Sequence, residues 1–331
     1  MPRLDKFHTI RLEGTLLTID QMTRILEKDL EEEALQEYGL APGEKLNEVI
    51  SRDWERANKH WKGFQERLET LPGDDVATTT TREHWLLPLF NLLGYGRLQL
   101  SRTIEIAGVP YPISHFYNLT PIHMLGCRIR LDQRTAGLRG AARLSPHGMV
   151  QEYLNKTEDS LWGIVTNGYN LRLLRDNANV ARMTYIDFNL QAMMTTEAYS
   201  DFVLLWMLLH SMRFAPKSKG DPRSCWIEKW SRTAQENGIR ALDSLRGSVV
   251  SALRILGKGF LEHPENDVLR QKLQTGSLTG KGYLEQLLRL NYRLIFLFVA
   301  EDRDLLLCPD SAETHEARVR YLRYYSTQSL R

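Results

Sequence analysis

The chain has 331 residues, of which 42 % are hydrophobic and 25 % charged, proportions that exclude bulk disorder and collagen-like composition. Its 43 basic and 41 acidic residues leave a net charge of +2, which by itself argues neither for nor against a nucleic-acid partner. Residues 1–75, however, carry 11 Lys and Arg against 17 Asp and Glu, so the remainder is net positive. Arginine outnumbers lysine 31 to 12. The planar guanidinium suits phosphate and carboxylate, although biased coding is a plain alternative. Cys127, Cys225 and Cys308 lie far apart, which fits buried thiols in a reducing compartment rather than a disulfide framework. The N-terminus has no apolar signal region, and the longest clean apolar stretch, 294–300, is too short to cross a bilayer. A soluble cytoplasmic protein with no membrane partner is expected.

In chain order, Asp20 is placed to cap a first helix through MTRILEKDLEEEALQEYGL, stopping near Gly39, with the acidic run 29–33 as a solvated face. After Pro42-Gly43, Leu46, Val49, Ile50, Trp54, Trp61, Phe64 and Leu68 recur at helical spacings until Pro72-Gly73. That stripe predicts an amphipathic helix in which Trp54 and Trp61 pack. Threonines 78–81 then read as the cap of a short helix, REHWLLPLFNLLGYG, ended at Gly94.

Strand-like stretches follow: LQLSRTIEI, VPYPISHFY and IHMLGCRIRLDQR. SPHGMVQEYLN reads as a helix capped by Ser145. LWGIVT and YNLRLLRD flank Asn167-Gly168, a strong hairpin signal, with Arg172, Arg175 and Asp176 as hairpin-end charges. A strand in RMTYIDFNL completes this region. The rest is helical, from DFVLLWMLL through CWIEKW and LIFLFVAEDRD to a last helix that stops within a charged, aromatic pattern. The chain is therefore expected to be a piece of something longer. The reading is an α+β, mostly helical protein: an acidic helical leader (1–75), a central α/β domain (76–192) and a helical connector (193–331).

Several chemistries lack their signals. There is no Gly-x-Ser-x-Gly, His-Glu-x-x-His or Cys-x-x-Cys. GKGF (257–260) and TGKGY (279–283) lack the spacing of a phosphate loop and read as helix boundaries. His123 and Cys127 read as core side chains. Glu301, Asp302 and Asp304, near Arg293 and Arg303, read as an internal salt-bridge cluster.

The order of elements in 76–192 is that of a restriction-endonuclease-like, PD-(D/E)xK-type core. In that fold carboxylates from neighbouring strands hold a divalent metal and a lysine assists the attacking water. Here the pattern is degenerate. Ser114 or His115 of YPISH stands where the first Asp is expected, and the nearest approach to an acidic-x-Lys is Asp132-x-Arg134. If Mg²⁺-dependent cleavage occurs, Glu105, Asp132 and Glu152 are its candidate residues. What survives is basic. Arg128, Arg130, Arg134, Arg139 and Arg143 fall within sixteen residues, and with Gly137 and Gly140 between them they read as a flexible arm suited to a DNA backbone.

YPISH, SPHGMVQEYLN, LWGIVTNGYNLRLLRD, DFVLLWMLL and LIFLFVAEDRDLLL together resemble the N-terminal third of type IIG-like bacterial restriction–modification proteins, some from DISARM or BREX phage-defence systems. The resemblance implies a DNA-associated module that positions an adenine-specific methyltransferase. The S-adenosylmethionine and target-base motifs of that enzyme are not in this chain and would lie beyond Arg331. Double-stranded DNA is the expected partner. Two alternatives stand beside this: an active metal-dependent endonuclease, and a scaffold that meets defence subunits or a phage inhibitor through the acidic leader, which could also block the arginine arm in cis.

Overall fold

A computed structural model describes residues 7–28, 35–41, 43–176, 184–218, 221–307, 311 and 313–327. Cys308 and the acidic run 29–33 lie outside them. The fold is α+β, with a six-stranded mixed sheet and a separate two-stranded hairpin. The chain forms two compact units, Met1–Asn237 and Gly238–Arg331.

In the first unit, β1 (Ile10–Glu13) comes from the leader and pairs antiparallel with β8 (Tyr185–Asn189), so the leader supplies an edge of the central sheet. α1 (Ile19–Glu27) is capped by Thr18, whose hydroxyl accepts from Gln21 N at 3.1 Å, rather than by Asp20, which sits in the first turn. This helix stops at left-handed Lys28, well short of Gly39. α2 (Leu46–Glu69) follows the anticipated stripe: Leu46, Val49, Ile50, Ala57, Trp61 and Phe64 are buried. Trp61 packs edge-on against Trp85 and the partly buried Trp54 against Phe202.

The next helical run is α3 (Thr78–Thr81), a π turn (Arg82–Leu86) and α4 (Leu87–Leu92). Pro88 cannot donate to the carbonyl four residues back, and the ladder shifts to a wider step in which Leu87 N donates to Arg82 O. No threonine caps this run. Ala77 is its N-cap, in a left-handed conformation, and its N–H is taken by Asp75 Oδ1 at 2.7 Å.

LQLSRTIEI forms a strand only at β2 (Ile104–Ile106), which pairs with β3 (Val109–Tyr111) as the separate hairpin. β4 (His115–Tyr117) and β5 (Thr120–Met124) are antiparallel. α5 (Pro146–Lys156), capped by Ser145, then crosses to β6 (Trp162–Thr166), which lies parallel to β5. β7 (Asn170–Arg175) returns through the Asn167-Gly168 turn, giving the sheet order β1-β8-β7-β6-β5-β4.

Alternation along these strands feeds two apolar clusters. Ile122, Ile164, Leu171, Leu173, Ile186 and Phe188 join α2, α4, α6 (Leu190–Thr195) and α7 (Tyr199–Leu209). Val165 and Leu174 join Met149, Val150, Tyr153 and Leu154 of α5. Arg172 shares the strand parity of Leu174, so a charged side chain is set on the α5 face.

α8 (Trp226–Glu262) contains the boundary between the units. GKGF therefore lies inside a helix, whereas Thr279 does cap α10 (Gly280–Asp302). The second unit also holds α9 (Asp267–Gln274) and α11 (His315–Tyr324). There Tyr283 Oη donates to Gly257 O at 2.8 Å. Asp304 pairs with Arg318 rather than with Arg293 or Arg303, because the chain after α10 turns and presents the carboxylate to α11. No helix among the described residues is long and apolar enough to cross a membrane.

Candidate nucleic-acid interface

The arginine-rich stretch is neither a strand nor a loose arm. β5 ends at Met124, and Leu125 N makes the last bond toward β6, to Thr166 O. Cys127 N is then taken by the Thr81 hydroxyl at 3.1 Å, so the backbone turns away from the sheet. From Arg128 to Asp132 the residues alternate. Ile129 and Leu131 are buried, while Arg128, Arg130 and Asp132 are exposed. The period-two pattern that reads as a strand thus serves a loop plugged into the smaller core.

Further ties hold the loop. Asn167 Nδ2 donates to Ile129 O at 2.7 Å, and His147 N to Leu131 O at 3.0 Å. Ala141 is buried, and its carbonyl accepts from Thr135 N at 2.8 Å. Gly140 is left-handed (φ +88°), and a Cβ there would sit 2.4 Å from the His123 ring. The glycine therefore fixes a close turn against His123, whose Nε2 lies 3.2 Å from Gly140 O.

The five arginines are held differently. Arg128 donates to two leader carbonyls, Pro72 O and, at 2.7 Å, Asp75 O. Arg139 donates to Thr103 Oγ1 at 2.9 Å. Arg143 pairs with Glu152 at 2.7 Å. Arg130 and Arg134 are exposed. Among the described residues, Arg143 alone of the five has a carboxylate within ion-pair distance. The loop therefore presents four guanidinium charges, two of them oriented by neutral acceptors, without local neutralisation.

The three candidate carboxylates do not meet. Glu105 is exposed on the β2–β3 hairpin. Glu152 is bonded by Arg143, Lys156 and the Tyr111 hydroxyl. Burial works to raise its carboxyl, but these three partners outweigh it and hold it down to about 2. Asp132 is gripped by Arg172, whose Nη1 and Nη2 donate to its two oxygens at 2.5 and 2.8 Å. Among the described residues no three His, Cys, Asp or Glu side chains are grouped to hold a metal ion. Glu105, Asp132 and Glu152 therefore do not form a Mg²⁺-binding nuclease centre among the described residues.

Ser114 and His115, which stand in the sequence where a nuclease Asp is expected, form a structural knot. Ser114 Oγ accepts from Met124 N at 2.8 Å, donates to Ile122 O at 3.1 Å, and lies 2.9 Å from His115 Nδ1. With one proton and two lone pairs, the hydroxyl's hydrogen-bonding capacity is filled when His115 Nδ1 carries the proton. His123 and Cys127 are buried as expected, although Cys127 lies beyond the strand.

Arg172 and Arg175 are not hairpin-end charges. Arg172 is buried within β7. Its Nε lies 3.4 Å from Asp187, directly opposite on β8, and its guanidinium stacks 4.7 Å from the Tyr185 ring centroid. Arg175 forks onto Glu228, which also accepts from Trp162 Nε1. The sequence offers no local signal for the Arg172–Asp132 and Arg175–Glu228 pairings, since these partners lie 40 and 53 positions away. Compared with protein-family models, curated proteins and solved structures, the chain gives no match.

Proposed function

We propose that this chain engages double-stranded DNA by its phosphate backbone through the loop that carries Arg128, Arg130, Arg134 and Arg139. One observation carries the reading: four guanidinium charges with no carboxylate partner among the described residues, displayed on a loop pinned by Ile129, Leu131 and Ala141. Cations on a loop tied to a buried core are suited to a polyanion with regular charge spacing, and contacts of this kind give position rather than sequence. The sequence resemblance supplies the setting, a module of a restriction–modification or phage-defence protein that positions an adenine methyltransferase. Cleavage is not part of the proposal, because Glu105, Asp132 and Glu152 are held apart.

Cis-blocking by the leader is not favoured. Arg128 meets the leader through carbonyl oxygens, and two leader acids among the described residues, Glu37 and Asp53, are used internally. Glu37 bonds Lys217 and Trp226, and buried Asp53 accepts from Trp206 Nε1 at 3.1 Å. The test is fluorescence anisotropy of a labelled duplex. Replacing the four arginines by Gln weakens binding about tenfold or more at low salt, whereas Arg143→Gln has a much smaller effect. Equal affinity of the fourfold variant and the parent protein overturns the reading.

A further inference from the structure

Beside the Ser114 knot and under the arginine loop lies a pocket of about 290 Å³, near the lower limit of small-molecule sites at about 300 Å³. Its lining is chemically one-sided. Pro112, Leu125 and Leu138 provide apolar wall, Arg82 and Arg139 provide cations, and no Asp or Glu takes part.

Arg82 comes from the π turn. Its Nη2 donates to Met124 O at 3.1 Å, while its Nε is buried without an acceptor. One of five guanidinium donors is thus engaged, and among the described residues no carboxylate lies within ion-pair distance of it. Burial pushes this guanidinium down from its ordinary value, the mark of a cation whose environment does not repay its lost hydration. Neighbouring His123 is kept neutral near pH 7, its value lowered to about 4 chiefly by burial, so it adds no further positive charge beside Arg82.

A pocket with two guanidinium groups, apolar walls and no acid is complementary to an anion attached to an apolar body. We infer that it binds a small organic oxyanion, a phosphate or carboxylate held by Arg82 and Arg139 with its apolar body against Pro112, Leu125 and Leu138. The pocket borders the proposed DNA surface and shares Arg139 with it, whereas Arg82 belongs to the helical run and not to the exposed loop.

Isothermal titration with four probes tests it: AMP, phenylacetate, adenosine and inorganic phosphate. AMP or phenylacetate binds, and which of them binds more tightly distinguishes phosphate from carboxylate. Adenosine, which lacks the anion, and inorganic phosphate, which lacks the body, bind at least tenfold more weakly. Arg82→Gln weakens the anionic ligand about tenfold or more and leaves duplex affinity unchanged. If Arg82→Gln does not fold, Arg139→Gln at the exposed rim reads the same loss. Failure of both AMP and phenylacetate to bind at millimolar concentration overturns the inference, as does AMP binding no more tightly than adenosine. Unaltered ligand affinity in a folded Arg82→Gln protein does so too.

Discussion

Arg172 and Asp132 form a two-toothed ion pair across 40 residues of chain, with the arginine buried in the sheet and the carboxylate side chain 58 % exposed. The asymmetry makes the two ends unequal. Asp132 can return to water when its partner is removed, but Asp187, the other acid beside Arg172, is largely enclosed, and burial raises its carboxyl in spite of Arg172. Asp132→Asn is expected to cost about 1 kcal/mol or less. Arg172→Met, which leaves Asp187 without its cation, costs about 3 kcal/mol, part of it recovered in the double variant with Asp187→Asn. Urea unfolding of the four proteins measures this, and equal losses for the first two contradict it.

The loop's rigidity has its own test. Leu131→Ala removes an apolar plug and touches no charge, with an expected cost of about 2–4 kcal/mol. Hydrogen exchange then quickens across residues 127–144, and duplex affinity falls with every arginine still present. Unchanged exchange there shows that the plug does not order the loop.

Gly126 predicts a close-approach effect. A Cβ at that position would lie 1.8 Å from Val76 O and 2.8 Å from Thr78 N, so it meets the backbone that leads into α3. Gly126→Ala is expected to cost at least about 2 kcal/mol, because neither segment can give way without moving the helix start. A melting temperature equal to that of the parent protein refutes the packing described.

Acid lability follows from buried imidazoles. His115, His123, His147 and His210 are each lowered by burial to about 4. Their unfolded forms titrate near 6.5, so between those values the unfolded chain binds more protons. Stability is therefore present above about pH 6.5 and falls as pH drops toward 4, by up to about 1.4 kcal/mol per pH unit for each histidine. Glu152, held near 2, adds to the loss below the ordinary carboxylate range, whereas Asp53 and Asp187, raised by burial, oppose it. Urea midpoints from pH 7 to 5 check the histidine window, and a flat profile contradicts it.

Local signals carried much of the fold. The stripe of α2, the serine cap of α5 and the Asn167-Gly168 turn each depend on neighbours a few positions apart, so spacing alone expresses them. Residues 128–132 show where that stops. Their alternation is real, but whether alternate side chains face a sheet or a separate core depends on Thr81 and Asn167, contributed from elsewhere in the chain. The charges of the candidate interface were visible as composition. Which of them remain unneutralised was not, because Glu152 reaches Arg143 from α5 while Arg128 and Arg139 find neutral acceptors.

The salt dependence of duplex binding tests the DNA reading most directly. For contacts to phosphates, log K falls with log salt with a slope of about −0.9 per neutralised phosphate. Replacing Arg128, Arg130, Arg134 and Arg139 by Gln is expected to flatten the slope by about 3, while Arg143→Gln, whose charge is already matched by Glu152, changes it by less than about 0.5. A fourfold variant that keeps the parent slope would show that DNA does not rest on this loop.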